Sequence, residues 1–261
     1  MTLDTRFIFE LPIPLLLLLS ALMYYKGLFQ NSQLNNKVTA RGTYILLFST
    51  LYMLGIGICA DIYKGQFFIS SLSDALLYAL SLIALTQLLS EYFGNSGKLG
   101  VFTVIPLFIG SLILPFSSHK PWSIEDPYFS LHILSSISSY SFFFIACIFA
   151  FMHQLLWNKL KKKEFDTLFA ALPNYEKVEV YAFIWILLGI LSAIFSSIFG
   201  LQWWAQTNQE TSFPIISFLI FLPFGVVALL RSINVLNGIF FTRSIFIAMS
   251  LLLVKHFIGL H

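Results

Sequence analysis

Charge is what this chain has least of. Asp, Glu, Lys and Arg make up 10% of its 261 residues, against about 25% in an ordinary soluble domain. A water-soluble globular fold is excluded, and no nucleic-acid partner is expected. Cysteine is almost absent too. Cys59 falls near the end of one apolar run and Cys147 deep inside another, roughly 22 Å below His132 at helical rise, so a disulfide between them is not expected. There is no CxxC, and hence no thiol-redox motif, and no CxxCH, so the chain is not itself a c-type cytochrome.

What is present is apolar: 58% hydrophobic and 17% aromatic residues, with a mean hydropathy of +0.84. Runs long enough to cross about 30 Å of hydrocarbon lie near Leu11 to Phe29, Thr43 to Ala60, Ser70 to Ser90, Leu99 to Phe116, Phe129 to Trp157, Glu179 to Phe199, Phe213 to Leu230 and Ile239 to Ile258. Runs of this length favour helices over the short alternating strands of a barrel. The expectation is an all-α integral membrane protein of about eight transmembrane helices in one bundle. Of the 15 Lys and Arg, eleven (Lys26, Lys37, Arg41, Lys98, Lys159, Lys161, Lys162, Lys163, Lys177, Arg231, Arg243) follow helices one, three, five and seven. Only Arg6, Lys64, Lys120 and Lys255 fall on the other side. By the positive-inside rule the basic loops face the cytoplasm of a bacterial inner membrane and both termini face outward. Residues 1 to 29 read as helix one and not as a signal peptide, because their basic residues follow the apolar segment and no small-residue cleavage site is evident.

Nothing marks a domain boundary, so residues 1–261 read as a single polytopic domain. In the Asn158 to Val178 connection, Phe165, Leu168, Phe169 and Leu172 recur at helical spacing beside Lys159 and Lys161 to Lys163. This describes a short amphipathic helix on the inner face between helices five and six, an anchor for anionic lipid or a docking site for a partner. Helix six carries Gly189, Ala193 and Ser197 on one row and Ser192, Ser196 and Gly200 on the next, spacing that lets helices approach closely. Helices four and seven each hold two prolines nine apart, Pro106 with Pro115 and Pro214 with Pro223. A transporter can show such interrupted helices, but no wider internal similarity accompanies them.

The candidate chemistry begins at His132. An ionisable side chain within an apolar span is costly and marks a functional candidate. His132, Ser135, Ser136 and Ser139 fall at i, i+3, i+4 and i+7, with Tyr140 flanking the row, and such a face looks into the bundle. Two readings stand: a satisfied histidine on a packing face, or a ligand for metal or haem iron. His153 lies about 31 Å further along the helix and cannot share a site with His132, whereas His119, His256 and His261 lie on the same side as His132. Two outward histidines from different helices suit both axial positions of a haem iron. Trp203 and Trp204, in the Gly200 to Ser212 connection, form either part of an interfacial aromatic belt or a flat shelf for a porphyrin. Asp74, with Tyr78 at i+4 and Ser70, Ser71 and Ser73 around it, is either an interfacial acid reaching water or a carboxylate that orients a ligand histidine.

His132 with Ser139-Tyr140 resembles the segment that opens the cytochrome c assembly domain of the CcsA, CcmC and HemX proteins. Leu188-Gly189-Ile190-Leu191-Ser192 is similar to that family's helix leading into its tryptophan-rich signature. Trp203-Trp204 and Glu210-Thr211 match the signature's first aromatic pair and its close. Phe257-Ile258-Gly259-Leu260-His261 resembles the CcsA C-terminus, and Lys159 to Lys163 with Leu172-Pro173 and Glu176 resembles HemX-like members. The motif-bearing part spans about residues 67–261 and is strongest from Phe129 to Thr211. The WxWDP core is missing: Gln206, Thr207 and Asn208 stand at its Trp, Asp and Pro positions. The span after it lacks the histidine of CcsA proteins. A HemX-like branch or a diverged paralogue is therefore the closer match.

The resemblance implies a haem chaperone or assembly factor rather than an independent enzyme. Haem would be held by His132 and His261 beside Trp203 and Trp204, with His256, Tyr140 and Asp74 as further candidates. The implied partners are a second cytochrome c assembly membrane protein and apocytochrome c. A haem-independent regulatory or scaffolding paralogue is the alternative, and a small-molecule transporter the third reading.

Overall fold

The computed structural model describes residues 8–29, 32–64, 71–94, 100–117, 126–165, 174–207 and 213–258, together with Ile69, Phe169 and Leu172. Within these ranges the side chains described exclude positions 29, 32–36, 60–64, 93, 94, 207, 213–220 and 255–258. Among the described residues there is no strand, and eight helices of 12 residues or more follow one another. They are α1 (Pro12–Phe29), α2 (Ser32–Lys64), α3 (Leu72–Gly94), α4 (Gly100–Ser111), α5 (Pro127–Lys162), α6 (Tyr175–Thr207), α7 (Phe213–Ser232) and α8 (Gly238–Ile258). Five helical segments are long and apolar enough to cross a membrane: Ile8–Leu28, Lys37–Cys59, Leu72–Tyr92, Pro127–Lys162 and Tyr175–Gln206. Gly100–Phe116, Phe221–Ser232 and Gly238–Val254 are shorter apolar segments. Helix four thus ends sooner than its apolar run: α4 stops at Ser111, and Pro115 sits in a 3-10 turn, Leu114–Phe116. Proline removes a backbone donor and does not continue an α-helix comfortably.

The helices group into two compact units, residues 1–125 with 165–172, and residues 126–164 with 173–261. In the first, α1 to α4 enclose an apolar interior built on Leu17, Leu46, Met53, Leu77, Ala84 and Val104. The polar groups around Glu91 are satisfied by neighbours, as an apolar interior requires. Glu91 on α3 accepts from Tyr24 Oη at 2.6 Å, Gln87 Nε2 at 2.8 Å and Thr43 Oγ1 at 2.8 Å, and Thr103 Oγ1 on α4 donates to Gln87 Oε1 at 2.6 Å. One carboxylate therefore fastens all four helices. Gly100 is required there, because a Cβ would stand 2.4 Å from the Tyr24 ring.

The second unit is built on α5 packed along α6, with α7 and α8 against them. Asp126 and Pro127 start α5. Asp126 caps it by accepting from Tyr128 N–H at 2.7 Å, and Pro127 takes the first helical position, where no N–H is needed. Lys163 ends it in the left-handed conformation at φ 57°, with Glu164 N–H bonded to Lys159 C=O at 3.0 Å. The amphipathic segment expected between helices five and six lies largely outside the described residues; Phe165 and Phe169 meet edge-on at 5.1 Å. Cys59 and Cys147 are both free thiols, as expected.

Candidate functional site

The site around His132 is a helix–helix face. The polar row of α5 turns toward α6, as the spacing predicts, and each member finds a partner there or on its own helix. His132 Nδ1 stands 2.7 Å from the Ser196 carbonyl and 3.1 Å from Ser196 Oγ. Ser136 and Ser196 share a hydroxyl–hydroxyl hydrogen bond at 2.5 Å, and Ser139 Oγ donates to the Gly189 carbonyl at 2.8 Å. Ser135 turns back on α5, donating to the Leu131 carbonyl at 2.5 Å. Tyr140 leaves the row and packs against Phe221 of α7, ring centres 5.6 Å apart.

The small residues of α6 explain why these contacts are possible. A Cβ on Gly200 would lie 2.8 Å from His132 Nδ1, and one on Gly189 would lie 2.4 Å from the Phe143 ring. Gly189, Ala193 and Gly200 are buried and Ser196 is 1% exposed. The row that faces α5 therefore takes members from both rows read in the sequence. Ser197 bonds back to its own helix at the Ala193 carbonyl, 2.9 Å away.

A carbonyl oxygen can only accept, so His132 Nδ1 must carry the proton. In the neutral ring the Nε2 atom then holds the lone pair. A histidine that ligates a metal usually has its other ring nitrogen donating to a carbonyl in this way. The donor chemistry at His132 thus suits an iron ligand, while its packing equally suits a helix-pairing residue.

Trp203 and Trp204 are helical and not in a loop, because nothing between Gly200 and Thr207 breaks α6. Trp203 is 9% exposed and packs against Phe129 of α5, ring centres 4.9 Å apart. Trp204 is half-buried. An open shelf at Trp203 is replaced by an aromatic contact that closes the end of the α5–α6 pair. Asp74 is fully buried, not an interfacial acid reaching water. It lies in the first turn of α3, accepts from Ser71 Oγ at 2.7 Å, and belongs to the first unit. Nearby Ser73 Oγ donates to Glu10 Oε1 at 2.9 Å. His119, Asn208, Glu210, Thr211 and His261 lie outside the described residues; His256 lies on α8, its side chain outside them.

A second constellation, marked by no spacing in the sequence, lies at the other end of this unit: His153, Glu179, Arg231 and Thr242, one from each of the four helices. Glu179 accepts from Arg231 at 3.0 Å and from Gly238 N–H at 3.1 Å. The available signal was the charge itself. Glu179 and Arg231 sit at the edges of apolar runs, where an ion of either sign needs a partner.

No family model matches the chain, and no solved structure matches it. Two relatives do. Protein HemX of Brevibacillus brevis is 24% identical over 209 residues, covering 77% of this chain and 74% of that one. Protein HemX of Bacillus subtilis (strain 168) is 22% identical over 189 residues, covering 67% of each chain. The chain is similar to HemX proteins over most of its length.

Proposed function

We propose that this HemX-like chain is an integral membrane protein that holds haem at the His132 end of its second unit for cytochrome c assembly. In this reading His132 and a C-terminal histidine, His261 or His256, would hold the haem. The Lys159 to Lys163 end faces the cytoplasm, by the asymmetry of basic residues, and the His132 end faces outward. The supporting observation is the Nδ1 contact of His132 with the Ser196 carbonyl at 2.7 Å, which fixes the ring orientation and leaves the lone pair on Nε2. Haem supplies the vinyl groups that this pathway joins to the thiols of an apocytochrome. The chain itself, having no thiol pair, binds and orients. The test is the visible absorption spectrum of detergent-purified protein. A bis-imidazole haem spectrum is expected, lost in His132→Ala and weakened in His261→Ala; unchanged spectrum and haem content in both variants would refute the assignment.

A second reading, a regulatory or scaffolding paralogue without haem, has an observation of its own. Trp203 is closed against Phe129, and Gln206, Thr207 and Asn208 replace the family's WxWDP residues. Protein from haem-replete cells that carries no haem above background, and that recovers a soluble partner through residues 159–177, would establish it.

A further inference from the structure

His153 is fully buried and the haem reading makes no use of it. It lies on α5 toward the Lys159 end, and elements from three other helices close around it. Nδ1 stands 2.6 Å from Thr242 Oγ1 of α8. Nε2 stands 3.7 Å from Glu179 Oε2 of α6 and, although buried, makes no hydrogen bond among the described residues. The other carboxylate oxygen of Glu179 is taken by Arg231 of α7 at 3.0 Å and by Gly238 N–H at 3.1 Å. Arg231 also donates to Asn237 Oδ1 and lies 5.6 Å from the centre of the Phe241 ring. The Tyr175 ring covers the imidazole with centres 3.9 Å apart. Among the described residues, the titratable and charged groups around His153 are thus Glu179 and Tyr175 from α6, with Arg231 of α7 on the far oxygen of Glu179, while α8 presents the uncharged Thr242.

Thr242 gives this histidine two complete states. A hydroxyl holds one proton and two lone pairs. With the ring neutral, Thr242 O–H donates to Nδ1, and Nε2–H is directed at Glu179. With the ring charged, Nδ1–H donates to Thr242 Oγ1, and the Thr242 proton turns to the Gly238 carbonyl, 3.2 Å away. Only a hydroxyl rotates between the two states. We propose that His153 is a proton-binding site, at which a proton from the aqueous phase adds to the Nδ1 lone pair and the imidazolium becomes the second cation on Glu179. No other bond forms or breaks. Proton uptake tightens the tie between α5, α6 and α8 beside the existing Arg231 pair, because opposite charges this close attract strongly where water is excluded.

Histidine changes charge at accessible pH, and nitrogen NMR of the full chain, labelled at histidine, in lipid nanodiscs reads this site as pH is lowered from about 8. One resonance, absent from His153→Gln, should move to the doubly protonated position as pH falls. Glu179→Gln should shift the midpoint of the doubly protonated fraction about one pH unit lower, a tenfold loss of proton affinity. Thr242→Val, of nearly the same volume, should lower it in the same direction. Should His153→Gln fail to accumulate, the resonance is assigned by its response to Glu179→Gln and Thr242→Val. A wild-type resonance that does not change with pH, or a fraction unaltered in both partner variants, would overturn the proposal. Neither outcome depends on whether haem binds at the other end.

Discussion

Two histidines on one helix, 21 residues apart, one half-buried and one fully buried, are held by opposite chemistry. His132 Nδ1 meets a backbone carbonyl, a partner that can only accept, at 2.7 Å, with the Ser196 hydroxyl further off at 3.1 Å, beside a glycine that leaves room for the ring. His153 meets a hydroxyl that can give or take a proton, with a carboxylate beyond the other nitrogen. The first arrangement selects the tautomer with its proton on Nδ1, the one that ligation through Nε2 requires. The second leaves the proton count adjustable. The partner's donor and acceptor capacity, more than depth along α5, separates a candidate ligand from a candidate proton site.

The contrast breaks most visibly at the His153 end. Glu179→Ala strands Arg231 and the Gly238 N–H, and removing one member of a buried ion pair costs about 3 kcal/mol; unfolding by SDS titration in mild detergent should read this loss. A cost below that of a single hydrogen bond would mean that the cluster is held by its apolar surroundings.

At the other end shape should matter more than charge. Gly189→Leu drives a side chain into Phe143, itself stacked on Phe224 with ring centres 3.8 Å apart, and should cost about 1–3 kcal/mol by overpacking. Gly225→Ala is the control. Among the described residues nothing lies within 4 Å of a Cβ there, so helix propensity alone should raise stability by about 0.5–1 kcal/mol. Equal effects at the two glycines would remove close packing as the reason for Gly189.

The smallest effect belongs to Ser196→Ala. It deletes the hydroxyl shared with Ser136 and His132 but leaves the carbonyl that fixes Nδ1. A loss of about 0.6 kcal/mol, the average for hydrogen bonds between membrane helices, is expected with haem absorbance retained. If the spectrum is lost with the hydroxyl, the hydroxyl and not the carbonyl orients the ring.

Much of this was legible along the chain. Eight apolar helices followed from run length, and the α5 face from the i, i+3, i+4, i+7 row of His132 and its serines. The close approach of α6 followed from Gly189, Ser196 and Gly200. Helix ends were less legible. Trp203 and Trp204 read as a loop because aromatic and polar residues crowd there, yet α6 continues through them for want of a breaker. Asp74 read as solvent-reaching because of its place near a helix start, and burial with Ser71 placed it inside instead. Partnerships across elements left no periodic trace: Glu179 with Arg231, His153 with Thr242, and Glu91 with Tyr24, Gln87 and Thr43 join residues far apart in the chain.

The sequence by itself determined the apolar character of the chain, the number of apolar helices and the faces on which polar residues recur, because hydrophobic content and helical period are local properties. The tertiary structure alone decided what each buried polar group meets. His132 found a carbonyl and His153 a hydroxyl and a carboxylate because α6, α7 and α8 place those groups there, and no spacing within α5 records them.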